Sequence, residues 1–243
     1  MRIVAIGGGS VGEGQTLRMD EELIRLSGAG TPRLLFIPTA SDDAAEYVDI
    51  VFGAFQKLGC KTEVLLLWGP DGAAEAEKLI SEADIVYVGG GNTKKMVARW
   101  QEMGVDRMLK AHLDQGKPVG GVSAGAICWF RVGNSDWPQY EGIPEVNTAR
   151  LDCLGFIDLV VCPHTKCETF RLGEFREMMK TERGVGIGID DWCALQIEGD
   201  RYRILASQPH AVAHRIEWVG GTLHERILEP HEDFRLLADL RAR

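Results

Sequence analysis

A serine hydroxyl becomes a nucleophile only when a base can take its proton and N–H groups can hold the charge on the attacked carbonyl. Gly121-Val122-Ser123-Ala124-Gly125 offers that setting. It fits G-x-S-x-G, follows the apolar run Val119 to Val122, and leads into Ala126-Ile127-Cys128-Trp129-Phe130, which can begin a helix. A sharp strand-to-helix turn would expose the Ser123 hydroxyl, and the helix start would offer backbone N–H groups to an oxyanion. A second cluster, Gly89-Gly90-Gly91-Asn92, ends an earlier apolar run. In a parallel sheet it would lie beside the elbow, where a glycine lets an N–H point into the site.

The base must come from six histidines, at 112, 164, 210, 214, 224 and 231. His164, in Cys162-Pro163-His164, sits at the carboxyl end of the apolar run Leu159 to Cys162, the same edge as Ser123. His112 lies in a charge-rich helical stretch and reads as a surface residue. The other four lie in late hairpins or the tail and also read as surface. For the acid that orients the base, Asp190-Asp191 follow the run Gly186 to Ile189, and Asp136 is the rival. Spacing alone does not choose between them.

The elements that must position these residues alternate. Strands are expected over Ile3 to Ile6, Leu34 to Ile37, Val64 to Leu67, Ile85 to Val88 and Val119 to Val122. Helices are expected over Ala44 to Leu58, stopped by Gly59, over Ala73 to Ala83, and over Lys94 to Gln115 with a break near Gly104. Strands apolar on both faces, alternating with helices, suit a parallel sheet whose carboxyl ends gather the functional groups. Beyond about residue 150 the pattern shifts to short strands: Leu159 to Cys162, Gly186 to Ile189, Ala194 to Ile197, Arg203 to Leu205 and Val212 to Trp218. Gly199-Asp200 and Gly220-Gly221 read as hairpin turns, so an antiparallel extension of the same sheet is expected. No linker or repeat interrupts the chain, which reads as one domain over 1–243.

The bulk numbers narrow the function. The net charge of -9 argues against a nucleic-acid partner, which needs a basic stripe. No apolar run is long enough for a membrane span, and the N-terminus reads as a first strand rather than a signal peptide. Six scattered cysteines without an export signal are expected to be reduced, in the cytoplasm.

Five blocks resemble peptidase family S51, the group of aspartyl dipeptidase (peptidase E) and cyanophycinase. They are Phe36-Ile37-Pro38-Thr39-Ala40-Ser41, Gly90-Gly91-Asn92-Thr93, Gly121 to Ala126, Cys162-Pro163-His164, and Gly188-Ile189-Asp190-Asp191-Trp192-Cys193-Ala194-Leu195. The resemblance implies a three-layer αβα sandwich with a mostly parallel, flavodoxin-like sheet, related to the class I glutamine amidotransferases. It implies a serine peptidase acting on short, Asp-X-type peptides, with no cofactor and no metal. Carried over, Ser123 is the nucleophile, His164 the base, and Gly91 and Ala124 the oxyanion-hole donors. The family's glutamate falls on Asp191, one methylene shorter, with Asp190 as the substitute. Asp136 falls on a family aspartate near the site, and Asn92 stands in the glycine block. Arg171 would suit a substrate carboxylate and Glu168 an α-ammonium. Monomer and homodimer both remain open.

Other readings compete. Gly7-x-Gly9-x-x-Gly12 matches the dinucleotide fingerprint, but the acid expected after the second strand is missing. Cys162-x-His164-x-x-Cys167 has metal-like spacing without a nearby fourth ligand. A non-enzymatic binding module on an amidotransferase-like fold is the alternative function, disfavoured by the presence of both Ser123 and His164.

Overall fold

The computed structural model describes residues 1–69 and 72–241. The first half of the chain runs β1 Arg2–Ile6, α1 Leu17–Ser27, β2 Arg33–Ile37, α2 Ala45–Lys57, β3 Lys61–Val64, α3 Gly72–Glu82, β4 Ile85–Val88, α4 Thr93–Met103, α5 Val105–Asp114 and β5 Pro118–Val122. A short α6, Ala124–Ile127, leads to β6 Phe130–Ser135, α7 Trp137–Tyr140, β7 Ala149–Asp152, β8 Ile157–Cys162, α8 Arg171–Met178 and β9 Gly186–Ile189. Then follow β10 Cys193–Glu198, β11 Arg201–Ala206, β12 Ala213–Val219, β13 Thr222–Leu228, β14 Arg235–Leu236 and α9 Leu237–Arg241.

These strands make two sheets. The first has eight strands in the order β14-β11-β10-β1-β5-β4-β2-β3, and the second six, β13-β12-β9-β8-β6-β7. Within the first, β1, β5, β4, β2 and β3 are mutually parallel, and β10 and β11 add on antiparallel beside β1. Alternation along each parallel strand splits the core into two layers. Ile3, Ala5, Leu35, Ile37, Val86 and Val88 meet Ile80, Trp100 and Leu109 of α3, α4 and α5. Val4, Ile6, Leu34, Phe36, Ile85 and Tyr87 meet Leu23 of α1 and Val51 and Phe55 of α2. Both faces of these strands are therefore covered by helices, as a parallel sheet requires.

Two expectations are corrected. The antiparallel extension holds for β10 and β11, with β14 added beyond them, but β8, β9 and β12 lie in the second sheet. The reason is the path after Ser123. α6 is a single turn, and a strand begins at Phe130 where a longer helix was expected. β6 then templates β8, and β8 templates β9, both in parallel. Ile157, Leu159 and Val161 of β8 join the main core, while Val160 and Cys162 turn to a separate cluster with Phe175 under α8. The other correction is of register: β3 begins three residues earlier than expected, at Lys61, pairing with Arg33 of β2.

Helix α1 lies outside the elements expected above, although Met19, Leu23 and Leu26 have helical spacing and Gly28 stops it at φ 69°. Its buried face carries one carboxyl. Asp20 is 3% exposed and accepts the Thr16 hydroxyl at 2.7 Å, and burial raises its pKa to about 7. A carboxyl whose folded pKa is raised binds protons that the unfolded chain has already released. Stability from this group is therefore full below pH 4 and is lost as pH rises through about 7. The loss is at most on the order of 4 kcal/mol. Asp20→Asn keeps an acceptor for Thr16 and removes the titration. Urea unfolding at pH 5 and pH 8 should show the variant gaining on the wild type at the higher pH; parallel profiles would refute this account of Asp20.

Candidate active site

The chain passes from the first sheet to the second between β5 and β6, and returns between β9 and β10. Ser123 lies on the first passage, Asp190 and Asp191 on the second. His164 closes the group from the end of β8, the parallel neighbour of β9.

Ser123 has φ 58° and ψ -110°, a strained conformation for a residue with a Cβ. The elbow is tight because β4 runs beneath it. A Cβ on Gly121 would stand 2.2 Å from the Val88 carbonyl oxygen, and one on Gly125 2.1 Å from the same atom. This is the physical content of the two glycines in G-x-S-x-G.

The Ser123 Oγ lies 2.9 Å from His164 Nε2, and His164 Nδ1 lies 2.7 Å from Asp191 Oδ1. The Cys167 N–H donates to the other Asp191 oxygen at 2.9 Å. This arrangement suits the tautomer with the proton on Nδ1, leaving Nε2 free to accept from the serine. Burial works against the Asp191 carboxylate, but the His164 hydrogen bond and the Cys167 amide outweigh it, and its pKa falls below the ordinary aspartate value. Serine, imidazole and carboxylate thus form one hydrogen-bonded chain that can carry a proton away from Oγ.

The shorter acid reaches the imidazole because the loop after β1 leaves room. A Cβ on Gly8 would lie 2.1 Å from Asp191 Oδ1 and 2.5 Å from His164 Nδ1. The same loop fastens both partners: His164 N–H donates to the Gly7 carbonyl and Trp192 N–H to the Gly8 carbonyl. His164 and Trp192 sit at φ 57° and 62°, left-handed positions held by these bonds. Gly7 of the apparent dinucleotide fingerprint and Gly8 within it are therefore anchorage and clearance for the histidine and the acid, whereas a Cβ on Gly9 would meet Thr16 and Trp192 and one on Gly12 would meet Ile50.

The structure separates the two consecutive aspartates. Asp190 turns away from His164, accepting from Thr165 Oγ1 at 2.7 Å and Val212 N–H at 3.1 Å, with His214 Nε2 at 3.4 Å. Asp190 thereby braces the segment that follows His164. Asp136 opens α7, where its carbonyl accepts the Gln139 N–H. Asn92 caps α4, its Oδ1 accepting the Lys95 N–H at 3.0 Å. Arg171 is 1% exposed and donates to Glu168 at 2.9 Å, so the two charges expected to meet a substrate meet each other. Gly91 and Ala124 flank the serine from the ends of β4 and β5.

Other candidates resolve differently from their sequence readings. His112 is buried, not on the surface, with its ring nitrogens 3.1 Å from the Ile80 carbonyl and 3.2 Å from that of Pro118. His214 is largely covered between Asp190 and Glu225. Of the C-x-H-x-x-C residues, His164 is engaged by Ser123 and Asp191, Cys162 is buried against Asn134 Oδ1 and Cys167 is exposed, and among the described residues no three His, Cys, Asp or Glu side chains gather as a metal site. Beside the elbow lies a cavity of about 620 Å³ bordered by Ser41, Tyr47, Gly91, Lys95 and Tyr140, a size suited to a small ligand.

The profile of peptidase family S51 matches residues 3–205. The chain belongs to that family. The uncharacterized peptidase YgaJ of Bacillus subtilis (strain 168) is 33% identical over 218 residues, covering 88% of this chain and 91% of the relative. Peptidase E of Streptomyces coelicolor is 28% identical over 181 residues, 70% of this chain and 69% of the relative. Among solved structures, a peptidase from an acI-B1 Actinobacterium superposes with a TM-score of 0.73 at 18% identity, covering 97% of this chain and 96% of its own, a likeness of fold. As an S51 member the chain is a peptidase. Among its described residues no helix is long and apolar enough to cross a membrane.

Proposed function

We propose that this S51 peptidase is a serine-type enzyme that cleaves short peptides through an acyl-enzyme. The observation that carries the proposal is the unbroken chain from Ser123 Oγ through His164 to Asp191, at 2.9 and 2.7 Å. In this reading His164 Nε2 takes the serine proton as Oγ attacks the scissile carbonyl. The Gly91 and Ala124 N–H groups hold the resulting oxyanion. His164 then protonates the departing amine, and a water, deprotonated by the same nitrogen, releases the acid product and restores Ser123. Asp191 fixes the imidazole tautomer and stabilises its cation.

We further propose an acidic residue on the acyl side. The family resemblance to aspartyl dipeptidase supports this; Arg171, buried and paired with Glu168, would have to leave that pair to meet the substrate carboxylate. The helical cover on both faces of the parallel strands supports the amidotransferase-like three-layer arrangement, and six free cysteines support a reducing, cytoplasmic setting.

A diphenyl phosphonate probe, mapped by peptide mass spectrometry, tests the nucleophile, and a dipeptide panel with Asp-X, Glu-X and Ala-X tests the substrate. Labelling at Ser123 that disappears in His164→Ala, with Asp-X turned over fastest, is expected. No labelling together with no turnover would overturn the serine-peptidase reading. Equal turnover across the panel would overturn the acidic preference alone.

A further inference from the structure

The Gly89–Asn92 loop is held from outside itself at three of its four N–H groups. Gly89 N–H donates to the Ile37 carbonyl at 3.4 Å, and Asn92 N–H to the Ala40 carbonyl at 2.8 Å. Gly90 N–H donates to the Tyr47 hydroxyl at 3.3 Å. The fourth, that of Gly91, has no protein acceptor among the described residues. Tyr47 is thus the side chain on which this loop's backbone rests, and it arrives from α2, remote in sequence from both the loop and the serine.

The ring is placed with little latitude. It meets Phe36 edge-on with centroids 5.3 Å apart, and a Cβ on Gly89 would come within 2.7 Å of it. The loop in turn touches the nucleophile: a Cβ on Gly90 would lie 3.3 Å from the Ser123 Cβ. Gly91 is at φ 132°, and a Cβ there would stand 2.2 Å from the Ala40 carbonyl oxygen. Two peptide planes share the Gly90 Cα. One carries the N–H that Tyr47 holds, and the other carries the Gly91 N–H. Gly90 and Gly91 carry no Cβ to restrain the plane between them, so that plane takes its direction from its two neighbours, which Tyr47 holds on one side and the Ala40 carbonyl on the other.

We propose that Tyr47 is a positioning residue, whose hydroxyl holds the Gly90 N–H and so aims the Gly91 N–H at the carbonyl that Ser123 attacks. The assignment rests on the serine-peptidase reading above. An oxyanion donor acts by being preorganised where charge develops, so loosening it weakens the transition state more than the ground state. Loss of a donor outright costs about 10²–10³ in rate. Loss of a residue that only aims the donor should cost less, roughly 5–30-fold.

The test is Tyr47→Phe, read by the phosphonate, whose P=O oxygen occupies the place of the oxyanion. The maximal labelling rate at Ser123 is expected to fall roughly 5–30-fold while the concentration for half-maximal rate changes less than about 3-fold. A thermal melt verifies folding. Should Tyr47→Phe not fold, 3,5-difluorotyrosine at position 47, compared with wild type at about pH 5.5 where its more acidic phenol stays protonated, keeps the ring and weakens the hydroxyl as an acceptor, and a fall in the same maximal rate is expected. A folded variant that labels at the wild-type rate overturns the Tyr47 assignment, as does a loss confined to the half-maximal concentration. Wild type that neither labels at Ser123 nor turns over the dipeptides overturns the serine-peptidase reading, and the assignment with it; wild type that turns them over unlabelled moves the same comparison to kcat, expected to fall, and KM, expected to hold.

Discussion

Ser123→Ala should lower kcat by about 10⁶-fold while leaving KM and the thermal midpoint near those of the wild type. The size follows from interdependence. With no Oγ, the imidazole 2.9 Å away has no proton to take, and the carboxylate behind it has no cation to stabilise. In the proposed mechanism the three residues act as a unit, so the double variant Ser123→Ala, His164→Ala should be no slower than Ser123→Ala alone. Losses that multiply across the double variant would show that the two side chains serve separate steps. The alanine retains the strained φ of 58°, whereas Ser123→Gly can relax it. A higher melting temperature for the glycine variant would reveal how much the elbow costs the fold.

Asp191→Asn should lower kcat by about 10⁴-fold with the fold preserved. An amide in place of the carboxylate turns its N–H toward His164 Nδ1 and drives the ring proton onto Nε2, where it blocks acceptance from Ser123. Asp136→Asn should change kcat by at least two orders of magnitude less, because Asp191 already occupies His164 Nδ1. Asp190→Asn should act first on stability. Burial opposes the Asp190 carboxylate, but His214, Thr165 and the Val212 amide lower its pKa below the ordinary value, so it stabilises the fold at neutral pH and loses that contribution as pH falls through its depressed pKa. An Asp190 variant as slow as the Asp191 variant, measured with both proteins folded, would contradict this division of labour.

Much of the site is legible in the sequence because strands end where chemistry begins. The elbow, His164 and the Asp190-Asp191 pair each follow an apolar run, and the structure brings all three together. The choice within the pair is not legible: consecutive residues leaving a strand point to opposite sides, and only the paths to Thr165 and Val212 settle which one turns inward. The second sheet was hidden for a related reason. A short apolar strand records that it is buried, not which neighbour it pairs with, and a single-turn α6 diverts the chain. Two misses did leave signals. Val105, Leu109, His112 and Leu113 form one buried stripe of α5, so His112 belongs to the core by its spacing. Gly7-Gly8-Gly9 is informative about close approach, but what approaches comes from residues 164 and 189–192, beyond the reach of any local pattern.

β1 lies between β5, which delivers Ser123, and β10, which follows Asp191 and Trp192. During synthesis β1, made before either neighbour, must therefore wait for a late part of the core. Both edges of residues 2–6 are open at first; residues 118–122 fill one, and the other stays open until residues 193–198 arrive. Such long-range closure slows folding and exposes an unpaired strand edge meanwhile. It also acts as a safeguard. The Gly7 and Gly8 carbonyls that fasten His164 and Trp192 are translated early, but the acid they help to place is not. A nascent chain that has not reached residue 191 lacks the carboxylate that hydrogen-bonds His164 Nδ1. In the proposed serine mechanism, the Ser123–His164–Asp191 chain would therefore be completed only as the central strand gains its second neighbour.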